Sequence, residues 1–470
     1  MSDRLVAFAT AASPEDCFYQ HLNEVIARQR PRAPHADIMD AARPLMLGYV
    51  GANNIGADVR TSEMLRQFDA VFEDFAPVVM AVSRRLDPEL FGGRRVNLMN
   101  GYFPEQVESI VSACNAVIAC EGSMFTSTFS DSLSLVFASG LAVAHQQGIP
   151  AVGYGADVGR MTERLTSFVQ THCAGAALLC RSQRAVERLQ SLGLPAQGGA
   201  DSAWTFDCTI EEQAHWTRGM GLDFERGVAV VCPINPFWWP VAADVERASR
   251  LLLHPEDKAL HYRSVYFHNW SDEVAAKYER YVREMASCID GLRAKGHQVV
   301  MLCMEPVDVR AAEHINGKLV DVAPTLVSGR VSAKQAFCVI SKARLVVSSR
   351  FHATLFAHLA ERPVVGVSMD DRIFDLFESM GVRDSALDCR ADHLSDLVLS
   401  QVDDLLSRPE WLSSLQRKAI ARHVRQLGVM GMTLADLVPR WTRRPRARHA
   451  GWDGFLPPLS ARLNRILSAA

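Results

Sequence analysis

Arg350, His352 and Arg372 are the side chains in this sequence best suited to chemistry on an anion. Arg350 and His352 follow an apolar run, Leu345-Val346-Val347, where Ser348-Ser349 breaks a strand and a helix begins that reaches about Leu359. Pro363 opens a second buried run, Val364 to Val367, and Arg372 comes after it. Open parallel sheets hold ligands at the carboxyl ends of their strands, where helix N-termini present free N–H groups to negative charge. Arginine adds a permanent cation in a planar fork, and histidine a group that exchanges protons near neutral pH. Cations at consecutive strand ends therefore predict a pocket for a phosphorylated anion. A structural ion pair for Arg350 and a packing or capping role for His352 are the competing readings of so short a motif.

The same logic applies earlier in the chain. Ala116 to Cys120 is an apolar strand ending in Glu121-Gly122-Ser123, and Ala176 to Cys180 is another ending in Arg181-Ser182. Glu121 is open between a catalytic base and a helix cap. Arg181 is open between a site cation and a solvated residue of a charged helix that carries Arg184, Glu187 and Arg188. The strand Pro44 to Val50 runs into Gly51-Ala52-Asn53-Asn54, a loop suited to positive φ, and then into helical spacing from Val59 to Phe68. That loop has neither dinucleotide spacing nor the lysine of a P-loop. Asp58 reads as a first-turn helix residue stabilised by the dipole, and Asp370-Asp371 as a turn. No metal-ligand spacing is present, so no metal is expected.

These residues need a scaffold of alternating strands and helices, and the rest of the chain provides one. At 470 residues it exceeds what one core serves, so two domains are expected. Strand signals at 44–50, 116–120, 150–155 and 176–180 form one series, and 228–232, 298–303, 345–347 and 364–367 a second. The expected fold is α/β: two Rossmann-like doubly wound domains facing a cleft, in the GT-B manner. The expected boundaries are a lead-in over 1–43, an N-terminal domain over 44–220, a C-terminal domain over 221–400, and helices with a basic tail over 401–470. A formal net charge of −3 gives no reason to expect nucleic acid. The eleven cysteines form no C-x-x-C pair, no leader peptide is read, and no apolar window is long enough to span a bilayer. A reducing cytoplasm is the expected location.

The span Leu345 to Arg372 resembles the C-terminal signature of the polysaccharide pyruvyl transferase family. Strand, Arg350-Phe351-His352, helix, Arg362-Pro363 turn and Val365-Gly366-Val367-Ser368 lead to a basic residue, Arg372 here where the family usually has Lys. Weaker likenesses extend over Gly48 to Asp58, Cys120 to Ser123, Gly153 to Arg160 (Arg replacing a proline) and Leu178 to Ser182 (Ser replacing an aspartate). The resemblance implies transfer of pyruvate from phosphoenolpyruvate to a sugar of a glycan precursor, as a ketal, with no resident cofactor. For that chemistry the residues themselves offer His352 to carry a proton and Glu121, which replaces one glycine of the family's Gly-Gly segment, as the second catalytic candidate. Donor binding would fall to Arg350, Arg372, Arg181, Gly51, Asn54, Gly122 and Ser123.

Two aromatic clusters, around Trp238-Trp239 and Trp270, interrupt the α/β rhythm. They are open between an acceptor platform for sugar rings and an ordinary packed insertion or subunit contact. The tail carries Arg440, Arg443, Arg444, Arg446 and Arg448, then an amphipathic stretch, Leu459 to Leu467. Such a pair of signals suits peripheral contact with an anionic membrane bearing lipid-linked sugars, or a solvated or folded-back tail. The rival functions are a GT-B glycosyltransferase using a sugar nucleotide, and a non-catalytic glycan- or anion-binding relative.

Overall fold

The computed structural model describes residues 14–32, 42–83, 86–94, 96–98, 104–254, 260–437 and 451–469. Its first sheet contains β1 (Pro44–Val50), β2 (Val78–Ala81), β3 (Val96–Leu98), β4 (Ala116–Ala119), β5 (Ala151–Ala156), β6 (Ala177–Cys180) and β7 (Ala196–Gly198). These are parallel and ordered β3-β2-β1-β4-β5-β6-β7. The chain reverses its direction of growth between β1 and β4, which opens a crevice at their carboxyl ends. Strands β1, β2, β4 and β5 are buried along their whole length. Burial on both faces is what continuous apolar runs predict for a helix-covered parallel sheet.

The second sheet repeats the plan. It contains β8 (Val228–Cys232), β12 (Gln298–Cys303), β13 (Thr325–Val327), β14 (Leu345–Ser348), β15 (Val364–Ser368) and β16 (Ala386–Asp388). The order β13-β12-β8-β14-β15-β16 places its reversal between β8 and β14. The fold is therefore two parallel-sheet α/β domains whose switch points face each other. The short strands β2, β3, β7, β13 and β16 have no clear signal in the sequence; all but β2 span only three residues, too few to show a period.

The interruption between β8 and β12 is a separate antiparallel sheet of β9 (Val241–Ala243), β10 (His261–Arg263) and β11 (Tyr266–His268), ordered β10-β11-β9. Its first strand is tied to the other domain, since Val241 N–H donates to the Phe129 carbonyl at 2.9 Å. Further ties close the cleft. Ile55 N–H donates to the Met304 carbonyl at 3.0 Å, and the Ser328 hydroxyl to the Asn53 carbonyl at 2.5 Å.

After the second sheet, a long helix, Pro409–Leu437, returns to the first domain, followed by a short turn, Trp452–Phe455, and a helix, Ala461–Ala469. The Gln67 amide, in helix Ile55–Val71, donates to the carbonyls of Leu427 (2.7 Å) and Phe455 (3.1 Å). The arginines at 440, 443, 444, 446 and 448 lie outside the described residues. Among the described residues, no helix is long and apolar enough to cross a membrane.

Candidate active site

The carboxyl ends of β1, β4, β6, β8, β12, β14 and β15 enclose one interdomain pocket of about 140 Å³. Arg181, Arg350, Arg372, His352, Glu121, Asn54 and Ser123 all line it, as do Trp238 and Trp239. Sequence reasoning anticipated these side chains. It did not anticipate the carboxylates that hold the arginines.

Arg350 is the N-cap residue of helix Phe351–Leu359. Its Nε lies 2.9 Å from Asp308 Oδ2, its Nη2 also donates to Asp308, and its Nη1 is 3.2 Å from Glu305 Oε2. Glu305 is in turn held from the opposite domain: Tyr49 Oη donates to Oε1 at 3.1 Å and Asn54 Nδ2 to Oε2 at 3.0 Å. Asn54 also caps helix Ile55–Val71, accepting from Ala57 N–H at 3.1 Å. Of the two readings open for Arg350, the ion pair is present, and the residue lines the pocket as well. Only 18% of its side chain is exposed, and its charge is matched by a two-carboxylate clasp that leaves its orientation fixed.

Arg181 is more deeply set. It precedes the cap Ser182 of helix Gln183–Ser191, so it is not the solvated first-turn residue that the charged helix allowed. Its Nε donates to Asp157 Oδ2 at 2.8 Å and its Nη1 to Asp201 Oδ2 at 3.0 Å, while the guanidinium lies 4.0 Å from the centre of the Phe351 ring. The remaining nitrogen, Nη2, is buried without a hydrogen-bond partner. Burial works against its charge, and the two carboxylates outweigh burial and raise its pKa. Gly122 is required here, because a Cβ at that position would stand 2.4 Å from Arg181 Nη1.

Asp201 joins this cluster to the other domain. Its Oδ2 lies 3.4 Å from Arg60 Nε and 3.5 Å from His352 Nε2. Burial would raise the Asp201 carboxyl, but Arg60, His352 and Arg181 reverse that and hold it well below the usual carboxylate range. The His352 ring faces Gly56 with Nδ1, where an added Cβ would be only 2.1 Å away. Burial lowers the pKa of His352, and Asp201 pulls the other way.

Arg372 lies in helix Asp371–Ser379, capped by Asp370. The reading of Asp370-Asp371 as a turn is corrected to a helix cap, since Asp370 Oδ1 accepts from Arg372 N–H at 3.1 Å. The Arg372 guanidinium pairs with the same carboxylate, with Nη2 2.7 Å from Oδ2, and Nη1 crosses the cleft to donate to Ser123 Oγ at 3.0 Å. Glu121 is anchored by backbone: Oε1 accepts from Ser123 N–H at 3.1 Å and Oε2 from Tyr49 N–H at 3.4 Å.

Four expectations need correction. Neither Gly51 nor Gly122 lines the pocket; the Gly51 N–H donates to Asp58 Oδ1 at 3.0 Å, and burial pushes that carboxyl up to about 7. Trp238 is buried, with one face covered by the His268 ring at 3.8 Å, so it presents no open platform to a sugar. Trp270 stands away from the pocket, packed edge-on against Tyr278. Of the three tryptophans, only Trp239 offers an accessible edge to the cleft. A signal for the missed acids was present for Glu305 and Asp308, which follow the apolar run 298–303. Asp201 follows only the three-residue β7 and had none.

A family model described as polysaccharide pyruvyl transferase matches residues 54–371. Among solved structures, the Anabaena protein HepE in complex with UDP-glucose is similar in fold, at 11% identity and a TM-score of 0.53, covering 84% of this chain and 99% of that one. A UDP-N-acetylglucosamine 2-epimerase, described as putative, from Listeria monocytogenes is similar at 9% identity and a TM-score of 0.50, covering 80% and 91%. No curated protein matches the sequence.

Proposed function

Because the chain belongs to the polysaccharide pyruvyl transferase family, we propose that it transfers pyruvate from phosphoenolpyruvate to two hydroxyls of a sugar in a glycan precursor. Two sugar oxygens bond to C2 of the donor, the C2–O bond to phosphate breaks, and C3 gains a proton to become a methyl group. Of the two hydroxyl protons, one balances the proton gained at C3 and the other leaves with phosphate.

The observation that carries this reading is the convergence of Arg181, Arg350 and Arg372 with His352 on one pocket of about 140 Å³. That is below the roughly 300–1,000 Å³ typical of drug-sized ligands, and suits a three-carbon acid with a carboxylate and a phosphate better than a sugar nucleotide. Guanidinium forks bind both groups. His352 delivers the proton to C3, and Glu121 takes a proton from an attacking hydroxyl. Asp201 favours the protonated imidazole, and the donor's own negative charge adds to that on binding. The eleven free thiols support a reducing, cytoplasmic setting for this chemistry. Contact with a membrane that carries lipid-linked acceptors belongs to the same proposal.

Calorimetry with phosphoenolpyruvate and, separately, with UDP-glucose tests the reading. Binding of phosphoenolpyruvate alone is expected, with phosphate released once a glycan acceptor is added. Binding of UDP-glucose without phosphoenolpyruvate would assign the pocket to sugar-nucleotide chemistry. Binding of neither would leave a non-catalytic relative.

A further inference from the structure

The pocket is not the end of the cleft. Beyond the Arg372–Ser123 contact lies a second, larger chamber of about 750 Å³. The two spaces share Ser123, Phe129, Trp239, Met369 and Arg372, which form the partition between them. Arg372 sits 4.7 Å from the centre of the Phe129 ring, and Trp239 meets the same ring edge-on at 5.1 Å. The difference in size matters: the outer chamber falls within the roughly 300–1,000 Å³ of small-molecule sites, with room for a sugar ring, and the inner pocket does not.

The outer wall has the chemistry of a carbohydrate site. Ser127 Oγ accepts from Thr162 N–H at 2.8 Å, and Thr128 Oγ1 accepts from Thr126 Oγ1 at 2.9 Å. Each of these hydroxyls keeps an O–H to donate, since neither donates to any described residue. Arg160 lines the same wall, and its exposed side chain has no ion-pair partner among the described residues. Apolar surface from Phe129, Trp239 and Phe374 stands with them. Sugars are recognised by this combination of hydrogen-bonding groups and ring faces.

We propose that this outer chamber is the acceptor subsite, and that it takes a pyranose sugar whose hydroxyls meet the donor at the Arg372–Ser123 partition. The inference rests on the reading of the inner pocket as the donor site. It moves the acceptor away from the buried Trp238 and the remote Trp270, and makes Ser127, Thr128 and Arg160 the residues that choose among sugars.

The test is saturation-transfer NMR on the full chain. The probes are the methyl glycosides of glucose, galactose, mannose, N-acetylglucosamine and N-acetylmannosamine, with phosphoenolpyruvate binding followed in parallel by calorimetry. Wild type should transfer saturation to at least one glycoside. Thr128→Val and Arg160→Met should each weaken that binding by up to about tenfold, the scale of one lost hydrogen bond, with phosphoenolpyruvate affinity unchanged. No saturation transfer to any of the five glycosides in wild type overturns the proposal, as does transfer equal to wild type in both variants. Failure of wild type to bind phosphoenolpyruvate overturns the donor reading instead, so the two failures are distinguishable.

Discussion

Arg181 and Arg372 occupy comparable places, each just past the carboxyl end of a parallel strand, and each faces the same pocket. Their surroundings differ sharply. The Arg181 side chain is 3% exposed and shared between two buried carboxylates, whereas that of Arg372 is 26% exposed and has a single carboxylate partner, in its own helix cap. Arg181 belongs to a cluster with Arg60, Asp157, Asp201 and His352, so it bears on the fold as well as on a ligand. Arg372 can turn away from Asp370 or Ser123 at little cost, because partly solvated pairs contribute at most about 1 kcal/mol. Burial, rather than residue type, decides which of two arginines is structural.

Substitution separates the two. Arg181→Met should have the largest effect: it leaves Asp157 buried without its cation and takes one of the cations from Asp201, and breaking a buried pair costs about 3–5 kcal/mol. A urea midpoint equal to wild type would remove the distinction altogether. His352→Asn should leave donor affinity intact and slow turnover by about 10²–10⁴, the usual contribution of general acid–base help. Unchanged turnover would transfer the proton role to Glu121. Arg350→Lys keeps a cation beside Asp308 and Glu305 but loses the fork, so donor affinity should fall by about tenfold with stability largely retained. Arg350→Ala is the poorer test, since it would leave both carboxylates unmatched. Arg372→Met should show the smallest change in stability, within about 1 kcal/mol, while donor binding weakens; Arg372→Lys should recover much of it. Equal destabilisation by Arg181→Met and Arg372→Met would break the comparison.

The pH dependence follows the same division. Asp201 binds protons more weakly folded than unfolded, so its contribution is complete above its unfolded pKa of about 3.9 and is lost as pH falls below that. His352, depressed by burial, acts in the same direction from about 6.5 downward. Stability should therefore decline on the acid side. Asp201→Asn should be less stable at neutral pH and show a flatter acid limb, and should move the His352 ionisation to lower pH. An unshifted ionisation would detach Asp201 from His352.

The parts of the site that were legible in the sequence share one property. Arg350, Arg372, Arg181 and Glu121 each follow an apolar run long enough to read as a strand, so their place at a sheet edge could be inferred from period and polarity. Asp201 and Asp157 act through partners distant in the chain: Asp201 is 151 residues from His352. No local pattern encodes such a pairing. The tryptophans show the converse error. Composition suggested a sugar platform, but His268 already covers Trp238, a contact visible only once β9 and β11 pair.

The returning helix Pro409–Leu437 bears on how this molecule is made. Met430 Sδ accepts from Ala200 N–H at 3.1 Å, and His423 stacks on Trp204 at 4.7 Å. Asp207 accepts from the Ser460 hydroxyl and, at 3.1 Å, from Arg462 Nε. During synthesis these partners emerge from the ribosome more than two hundred residues after the strands they cover. The first domain must therefore wait, incomplete, while the second is being translated, and segments 44–220 expressed alone should be aggregation-prone even though all seven strands of the sheet are present.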